Sequence, residues 1–411
     1  MATTSESSAT PCVRERWAAA DPVPADSDGI HLARSVTAYV RHTGRHLLPE
    51  HMLVQLSAIR RLHAAGRPFL DAFLDCILDK HEGRFRNRTY LALPVLELLV
   101  EGDSALSADR MSTLLMSDVV HFEIQAADDP SEGPCRAGRP DPATLGTRLR
   151  HALRFVAKGL GRAETCDLPS RMTHMPRSRL ADLAGHLPRP PATDAWRWFD
   201  ATVQPVSTVH DEYFFIRVLQ THEMLFTAIA EDMTAAIAAL RAGHPEEGVK
   251  RIDHAVGMFE RAAVLFRIVA TIRPEQFSSL RQYTQGASAI QSEQYKRFEI
   301  LCGIPTLRRL HSPAFTSVPA IRAAAEDAGH DTVTKAYLDL RDGGGPGREE
   351  LNRLDAALSR LESVHQRWKS AHRGLAVRIL GEERGTGHTD GVPYLTECLG
   401  NRLFRNLGTS L

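Results

Sequence analysis

The sequence lacks both a surplus of one charge and a long apolar run, and each absence narrows the possible functions. Lysine plus arginine and aspartate plus glutamate each number 50 in 411 residues, so no net charge draws the chain to nucleic acid or to an acidic surface. No apolar run approaches the roughly 18 residues of a membrane span, and the N-terminus lacks the pattern of a signal peptide. We therefore expect a cytoplasmic protein with a small-molecule partner and with neither nucleic acid nor a membrane as a partner.

Cysteine is also scarce. The six cysteines are scattered, without a CxxC pair or the spacing of a zinc site, which argues against a disulfide scaffold and favours a reducing compartment. The first 28 residues are rich in Ala, Ser, Thr, Pro and Asp, and this composition predicts a disordered tail.

Short alternating runs typical of strands are missing as well, and almost every patterned segment has helical period, so we predict an all-α fold. The proline-rich stretch "HLPRPPATD", residues 186–194, predicts a linker. It would separate an N-terminal helical region, 29–185, from a second region, 195–411.

The second region carries the clearest helical patterns. Apolar stripes predict helices over 210–241 and 247–272, then a bend at Gly286–Ala289 between two further helices. After the loop "DGGGPG" a last long helix follows, with apolar residues from Leu351 to Ile379 on one stripe. Long antiparallel helices pack as a bundle, and bundles build cofactor sites from inward-facing side chains.

In the N-terminal region, four residues suggest a metal site, since His and Glu on facing helices can ligate a metal: His81, Glu82, His121 and Glu123. Their spacing matches no specific motif, and charged residues after an apolar run are usually a solvated helix face. The sequence leaves the role of this region open.

The last long helix places a histidine, His372, on its apolar stripe one turn after Trp368, where leucine would be usual. A buried histidine of this kind is more often part of the core than a ligand, and His365 is an equally good candidate by position. The loop "GTGHTDG", 385–391, favours His372, because its glycines allow close approach of the backbone to a ligand just beyond the helix end.

Three ordered motifs resemble those of the tryptophan 2,3-dioxygenase family. "RWKSAHRGLAVRILG" with "GTGHTDGVPYL" is similar to the family's C-terminal signature, whose loop reads GTGGSSG. "HDEYFFIRVLQTHEMLF", 210–226, is similar to HDExLFIxxHQxxELW, and "FSSLRQYTQGASAIQSEQYKRFE", 277–299, to YxxFRxxLxxxSGFQSxQ. The resemblance covers roughly 195–411 and implies an all-α bundle like that of the family.

The resemblance implies a role for each matching residue. His372 would be the proximal iron ligand of haem b, and Ser288 would lie on the distal side of the haem. Phe215 would form an aromatic wall against the substrate ring, and Thr386 would contact its amino-acid end. Arg281 would hold the substrate carboxylate, a role that suits the bidentate guanidinium.

The departures from the family pattern are equally specific. Leu219 stands where the family has a distal histidine, and His222, one turn further, is either its substitute or a buried structural histidine. Phe277 replaces a tyrosine whose hydroxyl lies near the carboxylate. His388 and Asp390 replace small loop residues, and they are either an acid–base pair beside the substrate or a polar loop tip in water.

The resemblance implies a haem-dependent oxygenase acting on L-tryptophan, a tryptophan derivative or another aromatic amino acid. Oxygen from O2 would be inserted into the indole ring by dioxygenation or mono-oxygenation, and relatives of this fold often serve secondary metabolism. The alternative is a non-catalytic module that binds haem or indole with a degenerated distal pocket. Because relatives assemble as tetramers, we also expect a homo-oligomer.

Overall fold

The structure is a computed structural model that describes residues 26–103, 106–128, 138–161, 184–385 and 389–407. The described residues form helices and no strand, so the predicted all-α fold is confirmed. Of the predicted disordered tail, 1–28, all but the last three residues lie outside the described ranges. Within those ranges, no helix is both long enough and apolar enough to cross a bilayer.

Within the described ranges, seven α-helices precede the predicted linker. They are α1 Asp26–Thr43, α2 Glu50–His63, α3 Pro68–Ile77, α4 Asn87–Tyr90, α5 Leu93–Gly102, α6 Ala108–Asp128 and α7 Pro142–Gly159, with a 3-10 turn at Arg45–Leu47.

Among the residues described after the linker, ten α-helices occur. They are α8 His210–Arg241, α9 Pro245–Val269, α10 Pro274–Tyr283, α11 Glu293–Cys302, α12 Leu307–Leu310, α13 Pro313–Thr316, α14 Pro319–Glu326, α15 Val333–Asp342, α16 Arg348–Leu380 and α17 Val392–Cys398, with 3-10 segments at Ala195–Thr202, Ala289–Gln291 and Arg405–Leu407.

The long helices begin and end where the local chemistry requires. The prediction of 210–241 matches α8, which ends before Gly243 at φ 74°, a conformation that favours glycine. The second predicted helix begins earlier, at Pro245, because proline fits the first helical turn. It also ends earlier, at Val269, where the Thr271 hydroxyl donates to the Ile268 carbonyl and competes with continued helix.

Helices α8, α9 and α16 pack together around one apolar core, as the bundle prediction requires. Phe259 of α9 and Leu358 and Leu361 of α16 are fully or almost fully buried there. The same core includes Val119 of α6 packed with Leu225 of α8, so helices from both sides of the predicted linker share it. The division into two regions at 186–194 stays a prediction.

Three of the four residues of the suggested N-terminal metal site make ion pairs with other side chains, among them Glu82 with Arg60 at 3.2 Å. Glu123 is buried in an ion-pair network with Arg148 and His210, and the His81 ring lies 3.9 Å from the exposed Glu50 carboxylate. No group of three metal-ligating side chains occurs in the described part of the chain, so the metal hypothesis for this region is wrong.

The contribution of the α16 core face can be measured. Replacing Leu358, which is 0 % exposed, with alanine leaves a cavity and should lower the free energy of unfolding by about 2–5 kcal/mol. The matched control is Asn352→Ala on the exposed face of α16, which should change it by less than about 0.5 kcal/mol. Urea titration followed by circular dichroism measures both, and equal effects would contradict the observed packing.

Candidate functional site

Two adjoining cavities lie between the long helices, one of about 220 Å³ and one of about 170 Å³. The residues common to both are here named the shared wall: Asn87, Leu219, His222, Phe266, Ser288, Ala289, His372, Ala376 and Leu380. Four of the residues predicted from sequence, Leu219, His222, Ser288 and His372, therefore meet at one place.

His372 is held on the shared wall by aromatic packing. Its ring stacks on Phe266 with centroids 5.2 Å apart and an interplanar angle of 10°, and Trp368 packs beside it at 5.8 Å. Burial lowers the pKa of His372 to about 4 because the charged form is poorly solvated there. Its imidazole is therefore neutral at pH 7, with a lone pair available to a metal ion.

His365, the rival candidate on the same stripe, lies elsewhere. It is 1 % exposed, and its Nε2 is 2.8 Å from the Tyr295 hydroxyl. It lines neither of the two adjoining cavities. The structure thus separates two histidines that the sequence pattern could not.

His222 presents a proton acceptor to this region. Its Nδ1 lies 3.1 Å from the Val218 carbonyl, which can only accept a hydrogen bond, so Nδ1 carries the proton and Nε2 the lone pair. Nε2 is buried, and no described residue hydrogen-bonds it. Burial, with a smaller contribution from nearby His372, lowers the pKa of His222 to about 4. The ring is therefore neutral at pH 7.

The smaller cavity collects the residues predicted to bind substrate. The rings of Phe215 and Phe277 meet edge to face with centroids 5.8 Å apart, and both line it together with Leu219. Arg281, placed by α10, lies on the same lining. An aromatic wall with one guanidinium suits a small aromatic carboxylate.

Arg281 already holds a carboxylate of its own chain. Its Nη1 donates to Glu383 Oε2 at 2.8 Å, and its Nη2 donates to the Arg384 carbonyl oxygen. The Glu383 side chain is 64 % exposed whereas that of Arg281 is 18 % exposed, so Glu383 reaches in from the loop after α16. Sequence analysis did not single out Glu383.

The larger cavity ends in a cationic cluster that sequence analysis also missed: Lys296, Lys369, Arg309, Glu299 and Glu223. Burial lowers the pKa of each lysine to about 8 and raises that of Glu223 to about 7. Arg309 is paired with Glu299 at 2.8 Å. Because cations outnumber carboxylates three to two, this end of the cavity favours an anionic group. The sequence feature that could have revealed this cluster is the presence of lysines on helix faces that are otherwise buried.

The glycine-rich loop closes tightly on itself. Gly391 has φ 70°, and a Cβ there would meet the Glu383 carbonyl oxygen at 2.7 Å, so only glycine fits without a shift. The Gly385 N–H donates to the Thr389 carbonyl oxygen at 2.9 Å, and Gly385, Thr389 and Gly391 line the larger cavity. Thr386 and His388 lie outside the described residues, and their predicted roles stay predictions.

The N-terminal region also contributes to the site, which sequence analysis did not find. Asn87 and Leu91 line the larger cavity, and Asn87 and Tyr90 line the smaller one. Hydrogen bonds hold this segment to α8: the Tyr90 hydroxyl donates to Glu212 at 3.3 Å, and Gln220 Nε2 donates to the Leu91 carbonyl at 2.8 Å. No sequence pattern marks these contacts, since they join residues more than 100 positions apart.

A histidine that faces an apolar cavity inside an all-α bundle is an arrangement in which helical bundles hold cofactors. A sequence model described as tryptophan 2,3-dioxygenase matches residues 200–315. The tryptophan 2,3-dioxygenase of Polaromonas naphthalenivorans is 28% identical over 236 residues, which cover 49% of this chain and 83% of that protein. Those of Bordetella parapertussis and a Ruegeria species are also 28% identical, covering 49% of this chain and 82% and 84% of theirs.

The match to the tryptophan 2,3-dioxygenase family that the motifs predict is therefore confirmed over residues 200–315. The prediction of an enzyme of the haem-dependent oxygenase type is confirmed at the level of the family.

The Arg281–Glu383 pair predicts a gain in affinity when the internal carboxylate is removed. In Glu383→Gln, the carboxylate of an incoming ligand no longer has to displace the Glu383 carboxylate from Arg281. Indole-3-propionate should therefore bind up to about fivefold more tightly, the range expected for the loss of a partly exposed ion pair. The control Glu382→Gln changes the neighbouring carboxylate, which makes no ion pair with Arg281 in the described structure. Isothermal titration calorimetry measures the Kd values, and an unchanged or weaker Kd in Glu383→Gln alone would contradict the competition.

Proposed function

We propose that this protein binds haem b through His372 and inserts oxygen from O2 into the indole ring of L-tryptophan, a tryptophan derivative or another aromatic amino acid. One observation carries the proposal: His372 lies on the shared wall between a cavity with a cationic end and a cavity that contains Arg281. Family membership supports the reaction class, whereas the substrate and the number of oxygen atoms inserted belong to the proposal.

The residues of the larger cavity fit haem b. Apolar and aromatic side chains line its middle, His372 supplies an imidazole, and Lys296 and Lys369 stand at the cationic end, which suits the two carboxylates of this cofactor. Two buried nitrogens on the lining, His222 Nε2 and Trp368 Nε1, have no hydrogen-bond partner among the described residues. Such unsatisfied atoms are costly in a closed core and are expected beside a ligand.

The residues of the smaller cavity would bind and orient the substrate. Arg281 would exchange its bonds to Glu383 for the substrate carboxylate, which fixes one end of the molecule. Phe215 and Phe277 would bury the ring and exclude water from it. Ser288 on the shared wall would lie between the substrate and the cofactor.

When bound, the haem iron supplies the one-electron chemistry needed to activate O2, and the protein controls its outcome through polarity and access. The neutral His222, with its lone pair on Nε2, would accept a proton on this side of the site. Leu219 supplies no donor at the position of the family's distal histidine, and His388 is the second proposed acid or base. A homo-oligomer remains part of the proposal.

Replacing His372 with alanine tests the ligand assignment. The purified His372→Ala protein, supplemented with haem, should lose the visible spectrum of a histidine-ligated haem, since no other histidine on the described lining is proposed to bind iron. His365→Gln is the matched control, because it removes the rival histidine from the same helix and should keep that spectrum. A histidine-ligated spectrum that persists in His372→Ala would remove His372 as the ligand.

The alternative of a binding module without turnover is favoured by one observation, the apolar Leu219 on the shared wall. Turnover of L-tryptophan under ¹⁸O₂ with mass spectrometry separates the two functions. The proposed enzyme yields a product with one or two labelled oxygen atoms, which also decides between mono-oxygenation and dioxygenation. Saturable binding of tryptophan without label in any product would leave only the binding module.

A further inference from the structure

We propose that Asn87, from the N-terminal region, determines specificity by accepting a hydrogen bond from the ring N–H of the bound substrate. The inference deepens the proposed function and rests on it, since it assumes an aromatic amino acid in the smaller cavity. It gives the N-terminal helices a part in recognition that neither the motifs nor the family match assign.

The position of Asn87 is the first support. It begins α4, is 3 % exposed, and belongs to the shared wall with His222 and His372. Arg281, in contrast, lines only the smaller cavity. A ligand whose carboxylate lies on Arg281 therefore extends its ring toward the shared wall, where Asn87 stands.

The second support is the hydrogen bonding of Asn87. Its backbone N–H donates to Gln291 Oε1 at 2.9 Å, which ties α4 to the turn that carries Ser288. Among the residues that the structure describes, none hydrogen-bonds its side-chain amide. Asn87 lines both cavities, so its amide oxygen can accept a hydrogen bond from a ligand there.

The third support is the fixed placement of α4. The Arg45 guanidinium donates to the Thr89 carbonyl oxygen at 3.3 Å, and the neighbouring Leu91 carbonyl oxygen accepts from Gln220 Nε2 of α8 at 2.8 Å. A segment held on both sides presents Asn87 at a defined position, which a specificity contact requires.

Other polar atoms of the shared wall fit the role less well. The Ser288 hydroxyl already caps the 3-10 segment at 3.4 Å from the Ile290 nitrogen. His222 Nε2 can accept a hydrogen bond but is buried within the packing of Phe266 and Trp368, whose ring centroids lie 5.3 and 6.2 Å from its own. Asn87 is therefore the acceptor that we assign, and His222 is the rival to be tested.

The experiment compares L-tryptophan with its benzothiophene analogue, in which sulfur replaces the ring N–H at nearly constant shape. Isothermal titration calorimetry on the full, haem-loaded chain without oxygen gives both Kd values. The unmodified protein should prefer tryptophan by about 2- to 10-fold, the range of one neutral hydrogen bond. Asn87→Leu should bring this ratio close to one, whereas Asn87→Asp, which keeps an acceptor oxygen, should preserve a preference.

Arg88→Gln is the control for disturbance of α4, because the Arg88 side chain lines neither cavity, and it should keep the unmodified ratio. The assignment is overturned if Asn87→Leu keeps the unmodified ratio of the two Kd values. It is likewise overturned if His222→Phe loses the preference for tryptophan and Asn87→Leu keeps it. Both outcomes would leave the proposed function intact. If Asn87→Leu does not fold, equal Kd values of the unmodified protein for tryptophan and for its analogue overturn the assignment instead. No saturable binding of tryptophan to the unmodified protein would refute the proposed substrate class and the assignment together.

Discussion

The packing of α16 against α8 and α9 is the constraint on which the rest of the site depends. Trp368 sits among the rings of Phe226, Phe259 and Phe266, with centroids 5.3–6.0 Å apart. Aromatic contacts of this kind are rigid and bury large areas, so they fix the rotation of the helix about its axis. That rotation places His372 on the shared wall, and a small change in it would turn the histidine into the core or toward solvent.

The cationic side chains of the site are distributed over the two cavities. One guanidinium, Arg281, stands in the smaller cavity and is balanced by Glu383, while Lys296, Lys369 and Arg309 surround the end of the larger one. Buried cations without full compensation are costly unless an anion joins them, and the lowered lysine pKa values express that cost. The two sites therefore favour two different anionic ligands, one removable and one resident.

The N-terminal helices contribute to the common core and to the shared wall. Helix α6 packs on α8 within the common core, and the segment after α3 reaches the shared wall through Asn87. Glu212, in the first turn of α8, accepts hydrogen bonds from the Val206 and Ser207 N–H groups and from Tyr90, which joins the two parts of the chain at a buried point. The extension thus builds a wall of the pocket within one chain.

The sequence by itself determined the all-α class, the bounds of α8 and the resemblance to tryptophan 2,3-dioxygenases, because helical periodicity and ordered motifs are local properties. Helical periodicity alone could not separate His365 from His372, since residues seven apart share one helix face about 10 Å apart, and only the loop and the motif favoured His372. The tertiary structure separates their surroundings, by placing Tyr295 against His365 and the two cavities against His372. Likewise Asn87 joins the site through contacts across more than 100 residues, which no local pattern records.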